Sequence, residues 1–255
     1  MRARKARGLV LATIGCACLL GAAIAFAAET FSTQAYFTPD KLGAPANLSA
    51  TAVFSSNGTV PTPISHVLAY GPAGLRVDVA GTGVCDKAKL EAQGTGACPA
   101  DSRIGFGGGV GLVEIGGEVV KEPFTLDFFL GPRESGHLTI LVYAQAHSPV
   151  QVELVVVVKE VHGSKPYGFG VEFEIPPIAT LPGAAYASVE KSYFTIGSQH
   201  IAYYNLVHGK RKLVHVKGLI VPNSCPKGGF PFTVTITFLD GTKSTDTYAA
   251  PCPAK

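Results

Sequence analysis

Apolar and polar positions along the chain fall into short runs divided by turn residues. From Ile64 onward the runs are ISHVLAY (64–70), LRVDVA (75–80), IGFGGGVGLVEI (104–115), PFTLDFFL (123–130), HLTILVYAQA (137–146) and VQVELVVVVKEV (150–161). They continue with YGFGVEFEI (167–175), YASVEKSYFTI (186–196), HIAYYNLV (200–207), KLVHVKGLIV (212–221), FPFTVTITFL (230–239) and a last run over about 243–249. Val, Ile, Thr, Phe and Tyr dominate them, and the breaks are Gly-Pro, Ser-Pro, Pro-Pro, Pro-Gly and Asp-Gly, which is strand and turn chemistry. PFTVTITF alternates with Thr on one face, as a half-exposed strand does, whereas VELVVVV is apolar on both faces and suits a strand covered on both sides. Asp240-Gly241 between two runs predicts a hairpin. The single helical signal is DKAKLE around 86–91, an N-cap residue followed by helix formers.

About a dozen strands with no crossover helices predict an all-β fold, an antiparallel β-sandwich with at most one short helix. Its expected extent is 64–255. Residues 28–63, rich in Ala, Ser, Thr and Pro, read as partly linker with one strand at about 48–54.

The chain begins differently. MRARKARG carries Arg2, Arg4, Lys5 and Arg7 without an acid, an apolar stretch follows, and Ala25-Phe26-Ala27 has the small–large–small form of a cleavage site. Residues 1–27 therefore read as a signal peptide. Retention as an anchor and lipidation at Cys16 are the alternatives. The first is weakened by the Ala- and Gly-rich composition of the stretch, the second by Thr13 standing three residues before the cysteine. With 47% hydrophobic and 15% charged residues the chain is no disordered polyelectrolyte, and no second long apolar span supports a multi-pass membrane protein.

Export agrees with the cysteines. Beyond the leader stand Cys85, Cys98, Cys225 and Cys252, an even number as expected of an oxidising compartment. Of the three possible pairings, Cys85–Cys98 and Cys225–Cys252 is preferred, because the second link brackets the predicted hairpin whose ends must meet anyway. A four-cysteine metal site is disfavoured by the absence of any C-x-x-C pair.

Removing the leader also changes the charge. The formal +3 rests on 21 Lys and Arg against 18 Asp and Glu; without the leader's four basic residues 17 remain, and the net becomes −1. The remaining charge is unevenly distributed. Residues 28–190 carry nine basic and sixteen acidic residues, whereas 191–239 contain no acid and hold Lys191, Lys210, Arg211, Lys212, Lys217 and Lys227. HGKRK (208–212) places Lys210, Arg211 and Lys212 at a predicted hairpin tip, with Tyr203 and Tyr204 as supporting aromatics. This is the candidate binding site, for an anionic partner such as a cell-envelope polymer, an acidic lipid surface or an acidic protein. Nucleic acid is not expected of an exported chain without a recognised nucleic-acid motif, and membrane attachment is expected only through an uncleaved leader.

Catalytic signals are weaker. No G-x-S-x-G elbow is present. The glycines of GFGGGVG (105–111) lie in a strand pattern and precede no helix, so a bulge or close backbone approach explains them better than phosphate binding. Glu172 and Glu174, or Glu118, Glu122 and Asp127, are the carboxylates available for glycoside hydrolysis, yet VEFEI is also an ordinary half-solvated strand, and the chain has no Trp to stack on sugars. His200, His208 and His215 are the histidines most able to converge, although no H-x-H or H-E-x-x-H pair exists. Asp240 and Asp246 frame a turn too poor in oxygen ligands for calcium. No metal and no cofactor is implied.

GLRVDVAGTGVCD (74–86), CPADSRIGFG (98–107) and CPKGGFPFTVTITFLDG (225–241) resemble segments of uncharacterised exported proteins from high-GC Gram-positive bacteria, over about residues 64–255. The resemblance implies a secreted β-protein and carries no activity or catalytic residue with it. The expectation is thus an exported, non-catalytic binding or structural module of the cell surface or extracellular space. A secreted hydrolase of envelope or extracellular polymer is the alternative.

Overall fold

In the computed structural model, residues 29–55, 60–180 and 183–253 are described; the leader expected at 1–27, with Cys16 and Cys18, lies outside them. The β-branched and aromatic runs form strands β1 (Thr30–Thr38), β2 (Pro45–Ser55), β3 (Ile64–Pro72), β4 (Arg76–Asp78), β5 (Arg103–Ile115), β6 (Glu118–Leu130), β7 (Thr139–Ala146) and β8 (Val152–His162). They continue as β9 (Tyr167–Glu174), β10 (Ser188–Ile196), β11 (Ala202–Val207), β12 (Lys210–His215), β13 (Gly218–Ile220), β14 (Phe230–Phe238) and β15 (Lys243–Ala250). One helix, α1 (Lys87–Gln93), interrupts them. It starts where the sequence indicates, with the Asp86 carboxylate accepting the Lys89 N–H at 2.9 Å.

Thirteen strands form one antiparallel sheet, ordered β15-β14-β3-β9-β8-β7-β6-β5-β10-β2-β13-β4, with β1 on the free side of β2. A sheet this wide accumulates twist and curls, and here its ends come together. The Asp246 carboxylate of β15 accepts the Thr33 N–H at 2.6 Å and the Thr33 hydroxyl at 2.7 Å, from β1. The inner faces then pack on one another as the expected sandwich. Phe37 of β1 meets Phe230 of β14 edge-on at 5.7 Å, and Phe31 and Phe54 pack with Val67, Ile236 and Phe238. A larger cluster farther along joins Ile104, Phe128, Ile140, Val142, Val156 and Val158.

The doubly apolar strand has the predicted cover on both sides. Val156 and Val158 point into the inner core. Val155 and Val157 pack outward against Cys85, Leu90, Phe129, Leu141 and Tyr143, a second layer made by α1 and the Cys85–Cys98 disulfide. The second disulfide, Cys225–Cys252, ties the two ends of the β14–β15 hairpin. Both pairings are the preferred ones, and they indicate an oxidising environment.

Two expectations need correcting. The segment 28–63 holds two strands rather than one, and β1–β2 is an integral hairpin of the sheet, paired from Thr30↔Ser55 to Thr38↔Asn47. TFSTQAYFT buries Phe31, Ala35 and Phe37 at alternate positions, but the small Ala and the outward Tyr36 blur the period. The run 212–221 is not one strand: it breaks at Lys217, where Gly218 takes φ 64°, and its halves join different partners, β12 with β11 and β13 with β2 and β4.

The glycine run of β5 answers to close approach. A Cβ on Gly107 would lie 2.9 Å from Cα and Cβ of Phe194 and would collide with the Tyr193 carbonyl. The absence of side chains there lets β5 and β10 lie together under the inner core. We predict that Gly107→Ala lowers stability by about 1–3 kcal/mol, whereas Gly96→Ala, with open space around it, stays within about 0.5 kcal/mol of wild type, both read from urea unfolding. Leu90→Ala, emptying the fully buried site under α1, is expected to cost about 2–5 kcal/mol in the same measurement.

A projecting basic hairpin as the candidate site

The segment 200–217 leaves the body as an antiparallel ribbon. β11 and β12 pair only with each other, in the register Ala202↔His215, Tyr203↔Val214, Tyr204↔Leu213, Asn205↔Lys212, Leu206↔Arg211 and Val207↔Lys210. His208 and Gly209 form the two-residue turn, at φ 51° and 74°. Positive φ at both positions matches the twist of the flanking strands, and His adopts it more readily than most residues.

The base of the ribbon is fixed by packing. Ile201 and Val216 are buried in the inner core and joined by a Val216 N–H to Ile201 carbonyl bond of 2.9 Å. Tyr203 lies at the edge of the same core, its ring over Gly81, where a Cβ would come within 2.8 Å of the Tyr Cδ1. Tyr203, expected as a contact aromatic, thus sits where it anchors the arm. Beyond it nearly every residue is exposed.

Lys210, Arg211 and Lys212 stand at the tip as the sequence indicates, but alternation divides them. Lys210 and Lys212 share a face with Asn205 and Val207, whereas Arg211 shares the other with Tyr204, Leu206 and Leu213. The Arg211 guanidinium lies 4.6 Å over the Tyr204 ring, an attraction of a cation to the ring face. Among the described residues, no carboxylate comes within ion-pair distance of any of the three. Among the described residues five cations elsewhere are matched, Lys121 on Glu190 at 2.7 Å, Lys87 on Glu91 at 2.6 Å, Lys217 on Asp78 at 3.6 Å, Lys159 on Glu134 at 3.7 Å and Arg103 on Asp127, whereas others, Lys191 and Lys227 of the acid-free segment among them, also lie outside ion-pair distance of a carboxylate. Lys217, part of the acid-free segment, is therefore neutralised by the fold, and the tip differs from the other unmatched cations in crowding three of them onto consecutive exposed positions of one strand.

Sequence reading missed the apolar side chains of the arm. Leu206 is 69% exposed, Tyr204 62%, Leu213 48% and Val207 38%. HIAYYNLV is apolar on both faces, the pattern of a buried strand, so nothing in it signals that these residues face solvent.

The other candidate groups are dispersed. Glu172 stands on a half-exposed strand face, 2.9 Å from the His66 ring, and Glu174 is exposed beside it in β9. Glu122 is buried and accepts the Ser148 and Val150 N–H groups at 3.0 Å each, holding the loop after β7. Asp127 faces Arg103, and Glu118 is exposed at the start of β6. Two depressions on the body, one beside Arg103, Phe106 and His200 and one beside Asp78, Arg133 and Leu138, contain none of these glutamates. His200 lies 3.2 Å from the Arg103 carbonyl, His208 is in the turn and His215 is at the base of β12, so the three do not meet. Among the described residues, no three His, Cys, Asp or Glu side chains gather as a metal site, and no helix is long and apolar enough to cross a membrane.

Burial pushes the Tyr143 phenol up, helped by its hydrogen bond to Glu153. Asp240 is held below the usual carboxylate range because it accepts the Thr242 hydroxyl at 2.6 Å and the Thr242 N–H at 2.9 Å in the β14–β15 turn. Asp246 accepts from Thr33 at the seam of the sheet, so the two aspartates of this hairpin make separate contacts.

No protein-family profile, no curated protein and no solved structure matches the chain.

Since the folded Asp240 has the lower pKa, its ionised form adds stability above the unfolded value of about 3.9. We predict that Asp240→Asn is slightly less stable than wild type near neutral pH. The difference should vanish as pH falls below about 4 and through the folded value, read from unfolding midpoints across pH.

Proposed function

We propose that the chain is an exported, non-catalytic binding module of the cell surface or extracellular space, and that the β11–β12 arm engages an anionic partner, a cell-envelope polymer or an acidic protein. The carrying observation is the arm itself: Lys210, Arg211 and Lys212 at the tip of a projecting ribbon, without carboxylate partners among the described residues. Outside its leader the chain carries 17 basic against 18 acidic residues, so no global charge draws a polyanion, and a local cluster of cations is where a negative partner is steered. Two disulfides support an oxidising compartment. The leader's charge and cleavage pattern supports export, as does the resemblance to exported proteins over 64–255. The anchored base at Ile201, Tyr203 and Val216 gives the arm a fixed direction from the body.

The test is the triple variant Lys210→Ser, Arg211→Ser, Lys212→Ser, assayed for retention on envelope polymer and on polyglutamate. All three positions are exposed, so the fold is expected to survive. Wild-type binding should weaken as salt rises, and the variant should bind at least about tenfold more weakly with a flatter salt dependence. Equal retention of the two proteins on every anionic material rejects the reading.

A further inference from the structure

We propose that the β11–β12 arm is a membrane-interface element, which lays its Tyr204–Leu206–Leu213 face on an anionic lipid bilayer while its cations hold the lipid phosphates. This rests on the reading that the arm is the binding element, and it names the partner surface. Cations alone fit any polyanion. The exposed apolar side chains do not, because a soluble polyanion offers nothing apolar to cover them.

Register puts Tyr204, Leu206 and Leu213 on one face, with Leu213 directly across from Tyr204 and Leu206 two pairs nearer the tip, across from Arg211. Leu206 at 69% and Tyr204 at 62% are the two most exposed large apolar residues of the described chain, and Leu213 beside them is 48% exposed. Arg211 shares that face over the Tyr204 ring. The aromatic ring belongs at the headgroup level, where one end is apolar and the other wet. Lys210 and Lys212 leave the opposite face of a ribbon one strand thick, and their long apolar stems let the ammonium groups reach back to the phosphate plane. This is the pairing of apolar and basic side chains that interfacial segments use.

Charge argues against the nearest competitor, a second copy of this chain. Face-to-face pairing of two arms would bring six cations together with no acid between Lys191 and Leu239 to offset them. An anionic lipid surface meets both halves of the arm, and an acidic protein remains an outcome of the test.

The experiment uses the chain as its host exports it, with vesicles of equimolar phosphatidylglycerol and phosphatidylcholine, vesicles of phosphatidylcholine alone, and soluble polyglutamate. Because the chain has no Trp, Leu206→Trp places a single reporter on the arm, whatever the leader does. Its emission should shift to the blue on the anionic vesicles, and much less on phosphatidylcholine. Leu206→Ser with Leu213→Ser should lower affinity for anionic vesicles at least about tenfold while polyglutamate binding holds. A Trp emission that stays that of a water-exposed indole on anionic vesicles overturns the membrane assignment, as does unchanged vesicle affinity of the double serine variant. If in that case polyglutamate still binds and depends on Lys210, Arg211 and Lys212, the anionic-partner reading stands and only the lipid surface is rejected. Binding to neither vesicles nor polyglutamate rejects the lipid surface.

Discussion

Closure of the sheet is the constraint on which the rest depends. Thirteen antiparallel strands cannot lie flat, and the twist of each pair carries the two ends round until β1 meets β15. In the assigned ladders β1 pairs with β2 and β15 with β14, so the seam between them is made by side chains: Asp246 accepting from Thr33, with Phe37 against Phe230 just inside it. The inward carboxylate also marks each edge as finished, which discourages pairing with another chain. With the seam made, the inner faces enclose three apolar clusters bridged by Phe169 and Phe173, and the outer faces of β6, β7 and β8 need a cover of their own, which α1 and the first disulfide supply.

The arm is a consequence of the same geometry. Ile201 and Val216 are buried among the inner side chains of the closed sheet, so the chain between them has no room inside and leaves as a ribbon. An isolated two-stranded ribbon is marginal in water, and this one lasts because its base is fixed by the core, by Tyr203 on Gly81 and by a turn whose φ values suit its twist. At its tip three consecutive cations and exposed apolar side chains coincide, because the body reaches neither.

Much of the architecture was legible from residue order. Alternation in PFTVTITF, the doubly apolar VELVVVV, the Asp86 cap and the cysteines around the last hairpin each encode a local rule, and the structure follows them. β1 was not legible because Ala35 and Tyr36 obscure its period. The break at Lys217–Gly218 was missed because both halves are apolar and only their partners separate them. At the candidate site the charges and the tip could be read, since a cation run beside His-Gly is a local signal. The exposure of Leu206 and Leu213 could not, since an apolar strand reads the same whether or not another surface covers it.

The sequence by itself determined the strand chemistry, the turns, the pairing of cysteines across a hairpin and the uneven placement of charge, because each depends on residues near one another in the chain. Tertiary structure alone decided which charges would be matched and which apolar side chains covered. Lys217 meets Asp78 and Lys121 meets Glu190 only because distant strands are brought side by side. Lys210, Arg211, Lys212, Leu206 and Leu213 stand apart because the closed sheet ends beneath them. Burial and neutralisation belong to pairs of surfaces, and the surface opposite a residue is not written next to it.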